Sequence, residues 1–180
     1  MVMLSHTNRS TLTIAGCLLV AACLGLGLHN MLQTDAAAKP PSEPFVHEIV
    51  LAQPMATVWE ALTRKAIVDT YYFAPLGADI SQAGTEIYYG PVDGKMITGT
   101  VVKLQPPALL VHTFRFVGDT VSPETTVTYS LAANGSGTTL RVEHRGYPVP
   151  SQGYADISGG WPIIFDRLAA LLDGHPEAGK

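Results

Sequence analysis

Three polar side chains fall where a period-two pattern turns them toward the inside of a sheet: His112, Tyr129 and His144. In the run Leu109 to Val117, Arg115 belongs in water, which sends His112, Phe114 and Phe116 to the opposite face. In Thr125 to Ala132, Val127, Tyr129 and Leu131 share the core face; in Thr138 to Arg145, Leu140, Val142 and His144 do. Two imidazoles and a phenol in an apolar surround can orient a ligand or move a proton. A buried imidazole or phenol left unpaired costs about 1–3 kcal/mol, so each requires a partner in protein, water or ligand. The competing reading is that protein groups satisfy them within a closed core.

Other chemistries have less to stand on. His47 and Glu48 are adjacent on a strand and point to opposite faces, and no His-x-His or His-Glu-x-x-His spacing occurs. There is no Gly-x-Ser-x-Gly nucleophile elbow. Pairing of His112 or His144 with Asp79 or Glu86 as acid and base has no positive signal. Both cysteines, Cys17 and Cys23, precede the folded domain, which leaves it without disulfides, thiol nucleophiles or cysteine metal sites. A formal charge of −4 with no run of Lys or Arg argues against nucleic acid as a partner. No catalytic residue, metal ligand or cofactor site is assigned.

These residues need a sheet to hold them. In a chain of 180 residues there is room for one domain with a real core. Phe45, His47, Ile49 and Leu51 alternate with Val46, Glu48 and Val50 as a first strand. Pro54 suits a first helical turn, after which Met55, Val58, Trp59 and Leu62 form one apolar stripe. Lys65 to Phe73 reads as a short second helix. Glu86 to Tyr89, Lys95 to Leu104, Leu109 to Val117, Thr125 to Ala132 and Thr138 to Arg145 complete six strands with short connections, an antiparallel meander. Gly146 to Gly160, rich in Gly and Pro, reads as a mobile loop or flap. Trp161, Ile164, Phe165, Leu168, Leu171 and Leu172 then fall at helical spacing, with Pro162 forcing a start or a kink near Trp161. Trp59 and Trp161 each sit in an apolar stripe and read as core anchors rather than ligand stackers.

Ahead of the domain, Arg9 precedes a charge-free run from Thr11 to Leu28, and the next basic residue is Lys39. That run is near the ~18-residue lower limit for crossing a bilayer, and the charge order places the following domain outside the cytoplasm. Three fates stay open: an uncleaved anchor, a signal cleaved after Ala36-Ala37-Ala38, and a lipoprotein signal at Cys23. The expected organisation is 1–28 signal peptide or membrane anchor, 29–44 Pro-rich linker, 45–174 folded domain and 175–180 disordered tail. Localisation follows: cell membrane, or periplasm or extracellular space after cleavage.

Several stretches in this order carry a family resemblance: Pro54…Val58-Trp59-Glu60-Ala61-Leu62-Thr63, Gln105-Pro106-Pro107-Ala108-Leu109-Leu110-Val111-His112-Thr113-Phe114, Thr125 to Leu131, Gly137 to His144, and Gly160-Trp161. Together they resemble the START-like (SRPBCC) superfamily, and within it the branch named after activators of the heat-shock protein 90 ATPase. The sequence departs from that branch at Ile80, after Asp79, where a Trp is common, and at Pro162, which forces a start or a kink near Trp161 where the family's last helix often starts earlier. The resemblance implies an α+β helix-grip fold, a curved antiparallel sheet wrapped on a C-terminal helix with a cavity between. Its members include co-chaperone domains, hydrophobe carriers and cyclase-like enzymes. Trp161 and Phe165 should face His112, Phe114 and Tyr129 across that space, and with His144 they are the expected ligand-binding residues. The reading taken forward is an exported domain that binds a small hydrophobic or amphipathic molecule. A polyketide cyclase or hydratase using cavity His and Tyr, and a partner-binding module, are the alternatives; the sequence sets no oligomeric state. A cavity of ~300–1,000 Å³ would suit a small-molecule site. A filled interior with His112 and Tyr129 both satisfied by protein would suit the partner module.

Overall fold

Alternation along Phe45–Leu51 makes β1: Phe45, His47, Ile49 and Leu51 turn inward, and Val46, Glu48 and Val50 outward. The computed structural model describes residues 43–174; the segment 1–28, positions 29–42 of the linker and the tail 175–180 lie outside the described residues. Pro54 opens α1 (Met55–Thr63), which buries Val58, Trp59, Ala61 and Leu62. The shorter α2 (Lys65–Tyr71) follows after one residue. Its first backbone N–H, on Lys65, donates to the Asp79 carboxylate at 2.7 Å, satisfying a donor that a helix start leaves free.

Five more strands follow: β2 (Glu86–Tyr89), β3 (Ile97–Gln105), β4 (Leu109–Phe116), β5 (Thr125–Asn134) and β6 (Gly137–Arg145). They form one sheet in the order β1-β6-β5-β4-β3-β2. Every neighbouring pair is antiparallel. The register sets His112 opposite Val127, Tyr129 opposite Val142, and Phe45 opposite His144. β3 approaches β4 closely at Gly99, where any Cβ would collide with the carbonyl oxygen of Thr113. A bulge lies between Val101 and Lys103.

The last helix, α3 (Gln152–Leu172), is longer than its apolar spacing predicts. It takes in most of the stretch read as a mobile loop, and Pro162 lies inside it rather than at its start. The Ser151 hydroxyl caps the helix by accepting the N–H of Tyr154 at 3.1 Å. Gly153, a poor helix former, is required by packing: a Cβ there would run into the ring of Tyr147. At the far end the Gln53 side-chain amide donates to the carbonyl of Leu172 at 2.8 Å, tying α3 to the β1–α1 connection. The curved six-stranded sheet closed over this helix is an α+β helix-grip fold. Among the described residues no helix is long and apolar enough to cross a membrane.

Candidate functional site

The structure brings the sequence-derived site residues together between the sheet and α3, and most of them fill that space. Trp161 packs edge-on to Tyr129 with ring centroids 5.6 Å apart and to Phe165 at 6.0 Å. Phe165 also meets His47 of β1 at 5.5 Å. Phe114 lies against His144 at 4.8 Å.

His144 is fully engaged. The indole N–H of Trp161 donates to its Nδ1 at 3.2 Å, so Nδ1 is the acceptor and the ring proton sits on Nε2. That Nε2–H then donates to Thr125 Oγ1 at 2.8 Å, and the Thr125 hydroxyl donates to the Phe114 carbonyl at 2.9 Å. The chain ties α3, β6, β5 and β4 with every donor matched to an acceptor. Burial, reinforced by the nearby charge site of His112, pushes the His144 pKa down to about 3. The imidazole is therefore neutral at pH 7.

His112 takes the other tautomer. Its Nδ1 lies 2.8 Å from the Thr113 carbonyl, an acceptor only, so Nδ1 carries the proton and Nε2 presents a lone pair. That Nε2 is buried and has no hydrogen-bond partner among the described residues. Burial pushes the His112 pKa down to about 4, opposed in part by the bond to Thr113. Its ring stacks on Tyr129 at 6.0 Å. The Tyr129 hydroxyl is driven well above its ordinary pKa by burial and then by Tyr89, Tyr72 and Tyr71, which places four phenols in one neighbourhood. Tyr72 stacks on Tyr89 with centroids 4.4 Å apart.

Open space lies to one side of this packed centre. A groove of about 80 Å³ runs between Tyr72 and Phe73 after α2, Phe114 and Phe116 on β4, and Asp156, Ile157, Gly160, Trp161 and Ile164 on α3. Asp156 is its one charged lining group and accepts a hydrogen bond from Gln152 at 2.6 Å. Phe73 stands at the rim, 47% exposed. Of the six residues expected to bind ligand, Phe114 and Trp161 line the groove; His112, Tyr129, His144 and Phe165 do not. The volume is well below the ~300–1,000 Å³ of a usual small-molecule site. Sequence reasoning missed Asp156, Ile157 and Gly160, because it read their helix as a loop. It also missed Tyr72 and Phe73, although three consecutive aromatics, Tyr71-Tyr72-Phe73, were a visible signal. Trp59 is buried in α1, away from the groove lining. Among the described residues no group of three or more His, Cys, Asp or Glu side chains could hold a metal ion.

The sheet order, its uniform antiparallel pairing and the long C-terminal helix laid across it define a START-like (SRPBCC) domain. Solved structures share this fold. CalU16 from Micromonospora echinospora superposes with a TM-score of 0.64 at 21% identity, over 75% of this chain and 77% of that one. DynU16, described as a putative protein in the dynemicin biosynthetic locus, gives 0.63 at 28% identity over 76% of this chain, which spans 49% of DynU16. The Aha1 dimer from Colwellia psychrerythraea gives 0.62 at 18% identity, over 77% of this chain and 98% of that one. The model of the family described as Activator of Hsp90 ATPase homolog 1-like protein matches residues 52–173, and the chain belongs to that family. No curated protein matches it.

Proposed function

We propose that this is an exported, membrane-tethered or secreted START-like domain that holds one apolar end of an amphipathic molecule in the groove between α2, β4 and α3. The groove itself carries the reading: seven of its nine lining residues are large and apolar or aromatic, and one carboxylate, Asp156, stands beside them. A volume of about 80 Å³ compares with ~30 Å³ for a water in the liquid, so it takes a chain end or a ring edge rather than a whole ligand. The remainder of the molecule lies over Phe73. Export is supported by Arg9 followed by the charge-free Thr11 to Leu28.

The filled centre favours a partner-binding module as the second reading. The cyclase or hydratase reading draws less support: burial makes both imidazoles weak bases, both nitrogens of His144 are already bonded, and His112, whose Nε2 is free, does not line the groove.

Gly160 offers the test. It lines the groove, and a Cβ built there meets no atom within 4 Å. Gly160→Leu therefore adds bulk at the groove from a position where the backbone accepts a Cβ, with a better helix former, and an unchanged thermal melt checks that the fold is kept. Native mass spectrometry of the purified protein should show a bound small molecule, or take up added laurate, and the variant should do neither. Equal occupancy in both proteins, or none in either, defeats the reading.

A further inference from the structure

We propose that one end of the sheet is a lipid-docking rim, which sets the mouth of the groove against a bilayer. The inference rests on the tethered reading above and concerns a different surface. Strand register fixes which loops share that end. Tyr89 of β2 pairs with Ile97 of β3, Ile97 with Phe116 of β4, Phe114 with Thr125 of β5, and His144 of β6 with Phe45 of β1. The 90–96 and 117–124 turns, the 146–151 connection into α3 and the entry of the chain at Phe45 therefore lie together. Phe73, Phe116, Asp156 and Ile157 bring the groove to this end as well.

The two turns present apolar side chains to solvent. Val92 is 71% exposed and Val121 92%, with Met96 and Val117 about half exposed beside them. Met96 and Val117 are joined by a backbone hydrogen bond of 2.8 Å, so the two turns form one surface. Two charged groups there are partnered within the protein, while Asp93 and Glu124 stand exposed to solvent. The Asp119 carboxylate accepts the N–H groups of Val121 at 3.0 Å and Ser122 at 2.8 Å, a local cap that presents Val121 at the tip. Lys95 is drawn back to Glu86 at 2.6 Å and lies over the Tyr88 ring. Exposed apolar tips flanked by charged side chains suit the boundary between headgroups and acyl chains, where the valines enter and the carboxylates stay in water.

Chain connectivity selects lipid as the occupant. The charge-free Thr11 to Leu28 is joined to the domain by 29–44, which spans at most roughly 50 Å and ends at Phe45, on the rim. A tether that starts in the bilayer and ends at this edge holds these four side chains within reach of the lipid surface. Weak insertion by the tips then adds to the anchor, as two modest signals add in peripheral proteins.

The test uses the full chain with Cys17→Ser and Cys23→Ser, reconstituted into phosphatidylcholine vesicles. An environment-sensitive fluorophore is attached through Val121→Cys, or through Val50→Cys at the opposite end of β1, 67% exposed. Both sites are open to solvent, so neither change threatens the fold. The protein should float with the vesicles. Emission from position 121 should shift to the blue and be lost to nitroxide-bearing lipid, while emission from position 50 does neither. Flotation with an unquenched, unshifted probe at 121 overturns the rim and leaves the tether standing. A blue shift without lipid quenching means that a second copy or another protein covers the rim, and also overturns it. Failure to float removes both the rim and the tethered reading.

Discussion

Stability of this domain should fall on mild acidification, and the two buried histidines set the size of the fall. An unfolded histidine titrates near 6.5, whereas His112 is pushed down to about 4 and His144 to about 3. Between those limits the unfolded chain binds protons that the folded one refuses, so unfolding free energy decreases as pH drops below about 6.5. Stability is fully present above that value and is lost progressively until the folded pKa is reached. Carried to about pH 5, each histidine accounts for roughly 2 kcal/mol, and the pair for about 4 kcal/mol, before carboxylates with ordinary pKa values add much. At about pH 5 both imidazoles are still largely neutral in the folded protein, so mutual charge barely enters and the two losses add. Urea unfolding at several pH values between about 8 and 5 measures the slope directly. His112→Leu removes one titrating group and should roughly halve that slope, whatever it does to stability at pH 8. A wild-type stability that is flat or rising as pH falls from 6.5 to 5 refutes the reasoning. So does an unchanged slope in His112→Leu.

Two further outcomes probe the packed centre by urea or thermal unfolding. Thr125→Val keeps the shape but strands the Nε2–H of His144 and removes the donor to the Phe114 carbonyl, so it should cost about 1–3 kcal/mol; a neutral effect would show that the relay is not formed. Trp161→Ala removes a ring that meets Tyr129, His144 and Phe165 and should cost ~3–5 kcal/mol; a loss under about 1 kcal/mol would place that ring outside the core.

What was legible in the sequence was the part governed by period two. The inward set His112, Phe114, Val127, Tyr129, Leu140, Val142 and His144 is buried, because one solvated face leaves no other register for those strands. The opening of α3 was not legible. Gly153, Gly159, Gly160 and Pro162 all disfavour helix, and local propensity at 152–161 points to a loop. Tertiary contact overrides it: Tyr147 occupies the space over Gly153, Ile157 is buried, and Ser151 supplies a cap that its position after Pro150 could have suggested. Because the groove is walled by that same stretch, misreading the helix hid the groove. The expected ligand residues were thus the ones the sheet pattern could reveal, and they describe the packed centre better than its opening.

The same packing places the groove and the apolar turns at one end of the sheet. A helix-grip interior is free to hold a guest only where the helix stands off the sheet. Here Trp161 is drawn onto β6 by its bond to His144, and the aromatic contacts through Tyr129 and Phe165 close the centre beneath it. Toward the start of α3 the groove-lining side chains shrink to Ile157 and Gly160, and the opening appears there. That is also the end at which the chain enters at Phe45 and the 90–96 and 117–124 turns expose their valines. Small residues on one side of the helix and apolar tips on the adjoining loops serve one purpose if the guest arrives from a lipid surface. A Gly160→Leu protein that loses its ligand while the probe at position 121 is still quenched by lipid would separate the two devices, showing that the rim docks independently of an occupied groove.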